Sequence, residues 1–395
     1  MTVKTNLAGA TNYVLQEAIS AYADEAYTTA KKLSGTGIVG TNPNIDTNTE
    51  TFIGQIRWEK PLNPTINIAS LTDATDGTAT TTAQDYLTYI KTVRTHGVSK
   101  VNMQTVVTQK DGLAKIGRDF AETKAQDEHN AILSVLKGVA LTEVLYGAAA
   151  GSGATGLGGQ TFSNDPTDKK YGFYVDLGVA KPVVDATASI QGAARAEGFL
   201  QAIGKAWKDY EPGYAYLVVS PEVYASLRSA NLVDQDGVTE GNLTFSTIFN
   251  GKFRLIQTRA SQSFSSAELT KINTGAGVDI VGTKTSFIVL PGAIAMEQLD
   301  IPEPTEIYRD ARKYKGGGTT DLWYRWGYIA APAGYDWVGN TSAFPSDADY
   351  MSVVEGGTQK ALTAVVSGTL ASTNGVFNRK ASSALSLGIL PVFHS

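Results

Sequence analysis

The sequence predicts an α+β fold that strings together an N-terminal arm, an extended β-hairpin loop, a long helix and an α/β unit. Three observations predict it. Apolar residues alternate through 51–107, recur at helical spacing through 111–145, and change between the two periods through 180–310. The 395 residues suffice for two or three domains or one large core with insertions. Charged residues make up only 18% of the chain, against roughly a quarter in an ordinary globular protein. With so much Thr, Ser, Asn and Gly, this predicts a surface partly covered by other chains or drawn out into polar strands.

Residues 1–50 read as an arm. Val14, Leu15, Ala18, Ile19 and Tyr22 predict a helix over Tyr13–Lys32, followed by the turn-rich tether SGTGIVGTNPNIDTNTE. Residues 51–108 read as the extended hairpin. Phe52, Gly54, Ile56 and Trp58 alternate with polar neighbours on one strand, and Leu87, Tyr89 and Val93 do so on the other. Between them the threonine-rich stretch holds Asp76-Gly77, a strong turn signal. A two-stranded ribbon is barely stable alone in water, so Phe52, Ile56, Trp58, Asp76, Gly77, Leu87 and Tyr89 are expected to contact another subunit.

A long helix is expected from about Asp111 to Leu145. Leu113, Ile116 and Phe120 open its apolar stripe, Ile132, Val135, Leu136 and Val139 close it, and the centre AETKAQDEHN is polar. That pattern suits a helix bridging regions or meeting neighbours, which makes Glu122, Asp127 and His129 candidate contacts. In the α/β unit, Ala196, Phe199, Leu200, Ile203 and Trp207 mark a helix. AYLVV reads as a buried strand, and Ser220-Pro221 as the N-cap and first residue of the next helix. Two strand pairs follow, then a long aromatic strand bending at Pro332. Arg309 and Arg312 precede the KYKGGG loop and Lys313 opens it, and all three are further candidate contacts. The last fifty residues read as short strands in a polar setting, with His394 at a mobile end.

Catalytic chemistry finds little support. The absence of cysteine excludes disulfides, thiolate metal sites and cysteine nucleophiles. A net charge of −5 supplies no general field for nucleic acid. The N-terminus lacks a signal-peptide pattern and no apolar run reaches about eighteen residues, predicting a soluble, cytoplasmically made chain without a membrane span. Gly151, Gly153 and Gly156 form a G-x-G-x-x-G triplet, with Asp176 twenty residues on. They follow a helical pattern, however, and precede helix breakers, so a flexible loop is the better reading. His129 with Glu122 and Asp119 lacks the i, i+4 partner of a helical metal site. DQDGVTEG offers Asp234, Asp236 and Glu240 but ends its ligand pattern on Phe245. No nucleophile elbow is present. The expectation is no catalytic, cofactor-binding or metal residue, and no cofactor.

The ordered set is more telling than any single motif. Pro221-Glu222 opens a helix after a strand, and Gly251-Lys252-Phe253 begins another strand. Pro291-Gly292-Ala293 follows, and Pro332-Ala333-Gly334-Tyr335-Asp336-Trp337 ends the long return strand. Over roughly residues 10–340 this series resembles the major capsid proteins of tailed bacteriophages, of the Hong Kong 97-type fold. The resemblance implies arm 1–50, extended loop 51–108, peripheral domain with spine helix 109–180, axial domain 181–308, peripheral return strand 309–345 and a C-terminal β segment 346–395. It implies a structural, non-enzymatic subunit assembling as pentamers and hexamers into an icosahedral head in the host cytoplasm. Scaffolding, portal and decoration proteins would be partners, with double-stranded DNA packaged without sequence-specific binding. An encapsulin-like nanocompartment shell shares that fold and is the alternative; a nucleotide-binding enzyme using the Gly151–Gly156 loop is the third reading.

Overall fold

The structure is a computed structural model. It describes residues 23, 27, 33–42, 44–59, 84–101, 113–148, 173–177, 198–200, 202–204, 206–207, 212–234, 237–240, 243–258, 263–276, 280, 282–310, 312–313, 318–365, 374–380 and 387–394. Of the expected arm helix only Ala23 and Tyr27 fall among these, both helical. The hairpin tip with Asp76-Gly77 and the glycine triplet 151–156 lie outside them.

The chain opens with β1 (Val39–Gly40), β2 (Ile53–Glu59), β3 (Gln84–Val101) and the helix α1 (Leu113–Ala148). Then come β4 (Val175–Asp176), β5 (Ala215–Val219), α2 (Pro221–Ser229), β6 (Val238–Glu240), β7 (Leu243–Ile248) and β8 (Phe253–Gln257). After α3 (Ser266–Ala276) follow β9 (Lys284–Val289), β10 (Ile294–Gln298), β11 (Thr305–Asp310), β12 (Thr319–Pro332) and β13 (Tyr335–Trp337). The chain closes with α4 (Asp347–Tyr350), β14 (Ser352–Glu355), β15 (Thr358–Ala361), β16 (Asn374–Gly375), β17 (Phe377–Arg379) and β18 (Ile389–His394).

Two larger sheets organise these elements. One runs β4-β18-β9-β5-β8-β7-β6, and the other β1-β10-β12-β3-β2 with β11 also on β12. Parallel pairing of β5 with β8 requires a crossover, and α2 lies within it. Ser220 caps α2 as its sequence predicts, accepting a hydrogen bond from Val223 N–H at 3.4 Å. The long strand β12 pairs antiparallel with β3 from Thr319↔Val101 to Ile329↔Lys91. It then turns through Gly334, whose φ of +81° favours glycine, into β13.

Sheet membership departs from chain order. Strands β10 and β11 belong with β12 rather than with the α/β sheet, and the 308/309 boundary falls inside β11. At the other end β18 enters the α/β sheet between β4 and β9, every residue buried. A polar, mobile C-terminus is therefore not what forms. His394 is 2% exposed, with Nε2 2.8 Å from Ser286 Oγ and its ring edge-on to Phe199.

The helix α1 also differs from expectation. From Ala131 to Tyr146 every residue except Lys137 is buried, and in its polar centre Ala125, Glu128 and His129 are buried as well. A helix covered this thoroughly is a central core element rather than a bridge to neighbours. It packs against β12, α4 and β18. In the partly described helix at 198–207, Phe199, Ile203 and Trp207 turn inward while Leu200 faces out. Among the described residues no helix is long and apolar enough to cross a membrane.

Candidate assembly surfaces

Strands β2 and β3 form the expected antiparallel pair, from Ile53↔Ile90 to Glu59↔Gln84. The ribbon is anchored at its base, because β3 continues into the sheet beside β12. Register fixes the faces. Gly54 and Ile56 share one face with Tyr89 and Leu87, which runs on through Lys91 and Val93 to Gly97 and Trp323. There Ile56, Leu87 and Tyr89 join Ile45, Leu299 and Ile329 in a second hydrophobic cluster. This corrects their assignment as intersubunit contacts: they are buried by their own chain.

What covers them is the tether. Lys91, fully buried, places Nζ 3.1 Å from Asp46 Oδ2 and donates to Asn48 C=O at 2.5 Å. Asp46 N–H donates to Tyr89 Oη at 2.8 Å. The Asn48 N–H and the Lys91 ammonium hold the Asp46 carboxyl below its ordinary range. A cavity of about 180 Å³ opens beside this cluster, floored by Ile45, Ile56, Leu87, Ala295 and Ala331. That is below the roughly 300–1,000 Å³ of small-molecule sites.

The remaining candidates separate. Phe52 is 38% exposed, with its ring edge-on to Phe344 at 4.7 Å. Trp58 lies in β2, and Asp76 and Gly77 fall outside the described residues. Glu122, Arg312 and Lys313 are exposed, and Arg309 lies in β11. Asp127 is engaged within the chain, accepting from Trp326 Nε1 at 2.9 Å. His129 is 3% exposed, so it too is corrected from a surface contact to a core histidine.

The carboxylates around His129 are not gathered either. Asp119 lies 3.2 Å from His96, and Glu128 accepts from Gln298 and Tyr27. Among the described residues no group of three or more His, Asp or Glu is arranged to hold a metal. In the calcium-like stretch, Asp234 accepts instead from Thr247 Oγ1 at 2.9 Å. Asp176 sits in β4, and the helix α1, rather than a strand, leads toward the glycine triplet. The strand-first setting of a dinucleotide site is therefore missing.

Sequence reading missed two features. Of the aromatic run in β12, Tyr324, Trp326 and Tyr328 are buried, whereas Trp323 is 43% exposed. It lies across Gly97, where a Cβ would come within 2.8 Å of the indole. Tyr308, diagonal to it on β11, is also exposed. The alternation within TDLWYRWGY carries the signal, since Trp323 is the aromatic out of phase. The second feature is a buried network around Glu143 and Arg379, for which two charges far apart in sequence give no local sign.

No protein-family model and no curated protein matches the chain. Among solved structures it is similar to the capsid of Ralstonia phage GP4, at 11% identity over 78% of this chain and 86% of that one, TM-score 0.44. It is similar to the mature capsid of bacteriophage PhiM1 at 14% identity, covering 72% and 81%, TM-score 0.41. It is also similar to the head structure of Helicobacter pylori bacteriophage KHP40 at 9% identity, covering 93% and 91%, TM-score 0.41.

Proposed function

We propose that this chain is a structural shell subunit, the major capsid protein of a tailed double-stranded DNA bacteriophage. Self-assembly into a closed icosahedral shell is its function, and enzymatic chemistry is not. The observation that best supports it is the outer edge of β2. Lys91 N–H bonds Phe52 C=O, so alternation turns the backbone groups of Ile53 and Gln55 away from β3. Among the described residues no strand pairs with that side. An unpaired strand edge is a ready template for another chain. Exposed Phe52 and Tyr86 lie on the same ribbon.

In this reading the ribbon reaches over an adjacent subunit in pentamers and hexamers, whereas residues 33–42 and 44–50 of the expected arm dock on their own chain, with β1 paired to β10 and Leu33 and Ile38 in the core. Scaffolding, portal and decoration proteins are its protein partners. The net charge of −5 suits a container that holds DNA without gripping it, since a basic lining would bind phosphates through counterion release.

Electron microscopy of the purified chain tests the reading, with Gln55→Pro as the companion variant. Closed, hollow, uniform particles from the parent are expected. The variant, which loses only an outward N–H, should stay folded and assemble poorly. A parent that stays monomeric at high concentration would refute the shell reading.

A further inference from the structure

Where α1, β3, β12 and α4 meet, two carboxyl groups share one guanidinium. Arg94 of β3 places Nε 3.5 Å from Asp127 Oδ1 and Nη2 3.5 Å from Asp347 Oδ1. Both contacts are long, so neither is a tight bidentate pair. From β12, Trp326 donates to Asp127, and the Tyr328 hydroxyl is buried with no hydrogen-bond partner. Thr92 Oγ1 and Tyr350 Oη lie 2.7 Å apart.

Other nearby acids face elsewhere. Asp349 accepts from Ser346 N–H at the N-cap and from Gln359 Nε2, while Glu128 faces Gln298 and Tyr27. Two anions and one cation thus occupy a half-buried place, a charge excess that favours a proton on one carboxyl.

We propose that Asp127, Arg94 and Asp347 form an acid-tightened latch, in which protonation of Asp347 strengthens the docking of α4 onto α1 and β3. Burial, then Asp127, raise the Asp347 carboxyl above its ordinary 3.8 against the pull of Arg94. A raised folded value means the stabilising contribution is full below the unfolded value. It is lost as pH rises through the folded one. Neutral Asp347 leaves the guanidinium to Asp127 and itself becomes a hydrogen-bond donor. The seat it secures is close. Tyr350 is fully buried, and a Cβ on Gly138 of α1 would meet its carbonyl oxygen at 2.1 Å. The latch is independent of the shell reading.

Amide hydrogen exchange over 347–355 in the full chain, corrected for intrinsic rates, tests it between about pH 7 and about pH 3.5, below the ordinary carboxyl value. Protection should rise on acidification, by about tenfold for each pH unit by which the folded carboxyl exceeds the unfolded one. Asp347→Asn should stay protected at both pH values and lose the slope. Asp127→Asn leaves Arg94 to Asp347 alone, so its slope should flatten. A pH response in Asp347→Asn equal to the parent's overturns the latch. Should that variant not fold, an unaltered slope in Asp127→Asn does the same.

Discussion

Arg379 Nη1 lies 2.7 Å from a carboxylate oxygen of Glu143, which is wholly buried in α1. Phe173 N–H donates to the same oxygen at 2.6 Å, and Tyr335 Oη–H donates to the other at 2.9 Å. One helix residue thereby ties β13, β17 and the segment leading into β4. Burial, then the Glu143 charge, push the Tyr335 hydroxyl far above its usual range. Tyr146, over which Arg379 stacks, is pushed up to about 12 chiefly by burial.

Removing one partner of such a pair strands a buried charge. Arg379→Ala should therefore destabilise the chain by about 3–5 kcal/mol, read as a lower denaturant midpoint with an unchanged slope. A loss under about 1 kcal/mol, typical of exposed pairs, would show that water reaches Glu143.

Gly138 makes a second test, because helix propensity and packing disagree there. Alanine gains about 1 kcal/mol in a helix interior. Its Cβ, however, would stand 2.1 Å from the Tyr350 carbonyl oxygen and 3.0 Å from the Phe377 ring. Backbone cannot give way as a side chain can, so Gly138→Ala should lower the thermal midpoint, at a net cost of about 1–3 kcal/mol. A raised midpoint would mean that α4 is not seated on α1.

Acid should act on the tether in the opposite sense to the latch. The Asp46 carboxyl is held below its ordinary 3.8, first by Asn48 N–H and then by Lys91. A depressed folded value gives stability that is present above the unfolded value and lost as pH falls through the folded one. Hydrogen exchange at residues 46–51 should thus quicken below about pH 4 after correction for intrinsic rates. In Lys91→Met this acid sensitivity should shrink.

The chain's last residues should be indispensable. β18 supplies six buried residues between β4 and β9, and Pro391, Val392 and Phe393 pair with Phe287, Ser286 and Thr285. Truncation after Leu387 is expected to yield an aggregating or protease-sensitive product in limited digestion. His394→Ala should cost only about 1–3 kcal/mol, with Ser286 left short of its buried partner.

Legibility followed range. The Ser220-Pro221 helix start, the bend at Pro332 that ends β12, and the periods of β2 and α1 depend on neighbours a few residues away, and the sequence showed them. The fates of Ile56, Leu87 and Tyr89 did not follow, because alternation tells that one face of a ribbon is apolar without saying what covers it. Residues 44–51 and Leu299 supply the cover here. His129 read as a subunit contact for the same reason: a polar helix centre cannot reveal that it is buried, nor that Gln298 and Tyr27 lie opposite its neighbour Glu128.

From the amino-acid string alone came the helical and extended stretches, their turns and caps, and the absence of cysteine chemistry, since each follows from local sterics and composition. Folding in three dimensions decided that β10 and β11 join β12, that β18 closes the α/β sheet, and that Trp323 rather than Trp326 faces outward. Those outcomes rest on register between distant strands, where a slip of one residue exchanges the two faces. No local pattern carries that information.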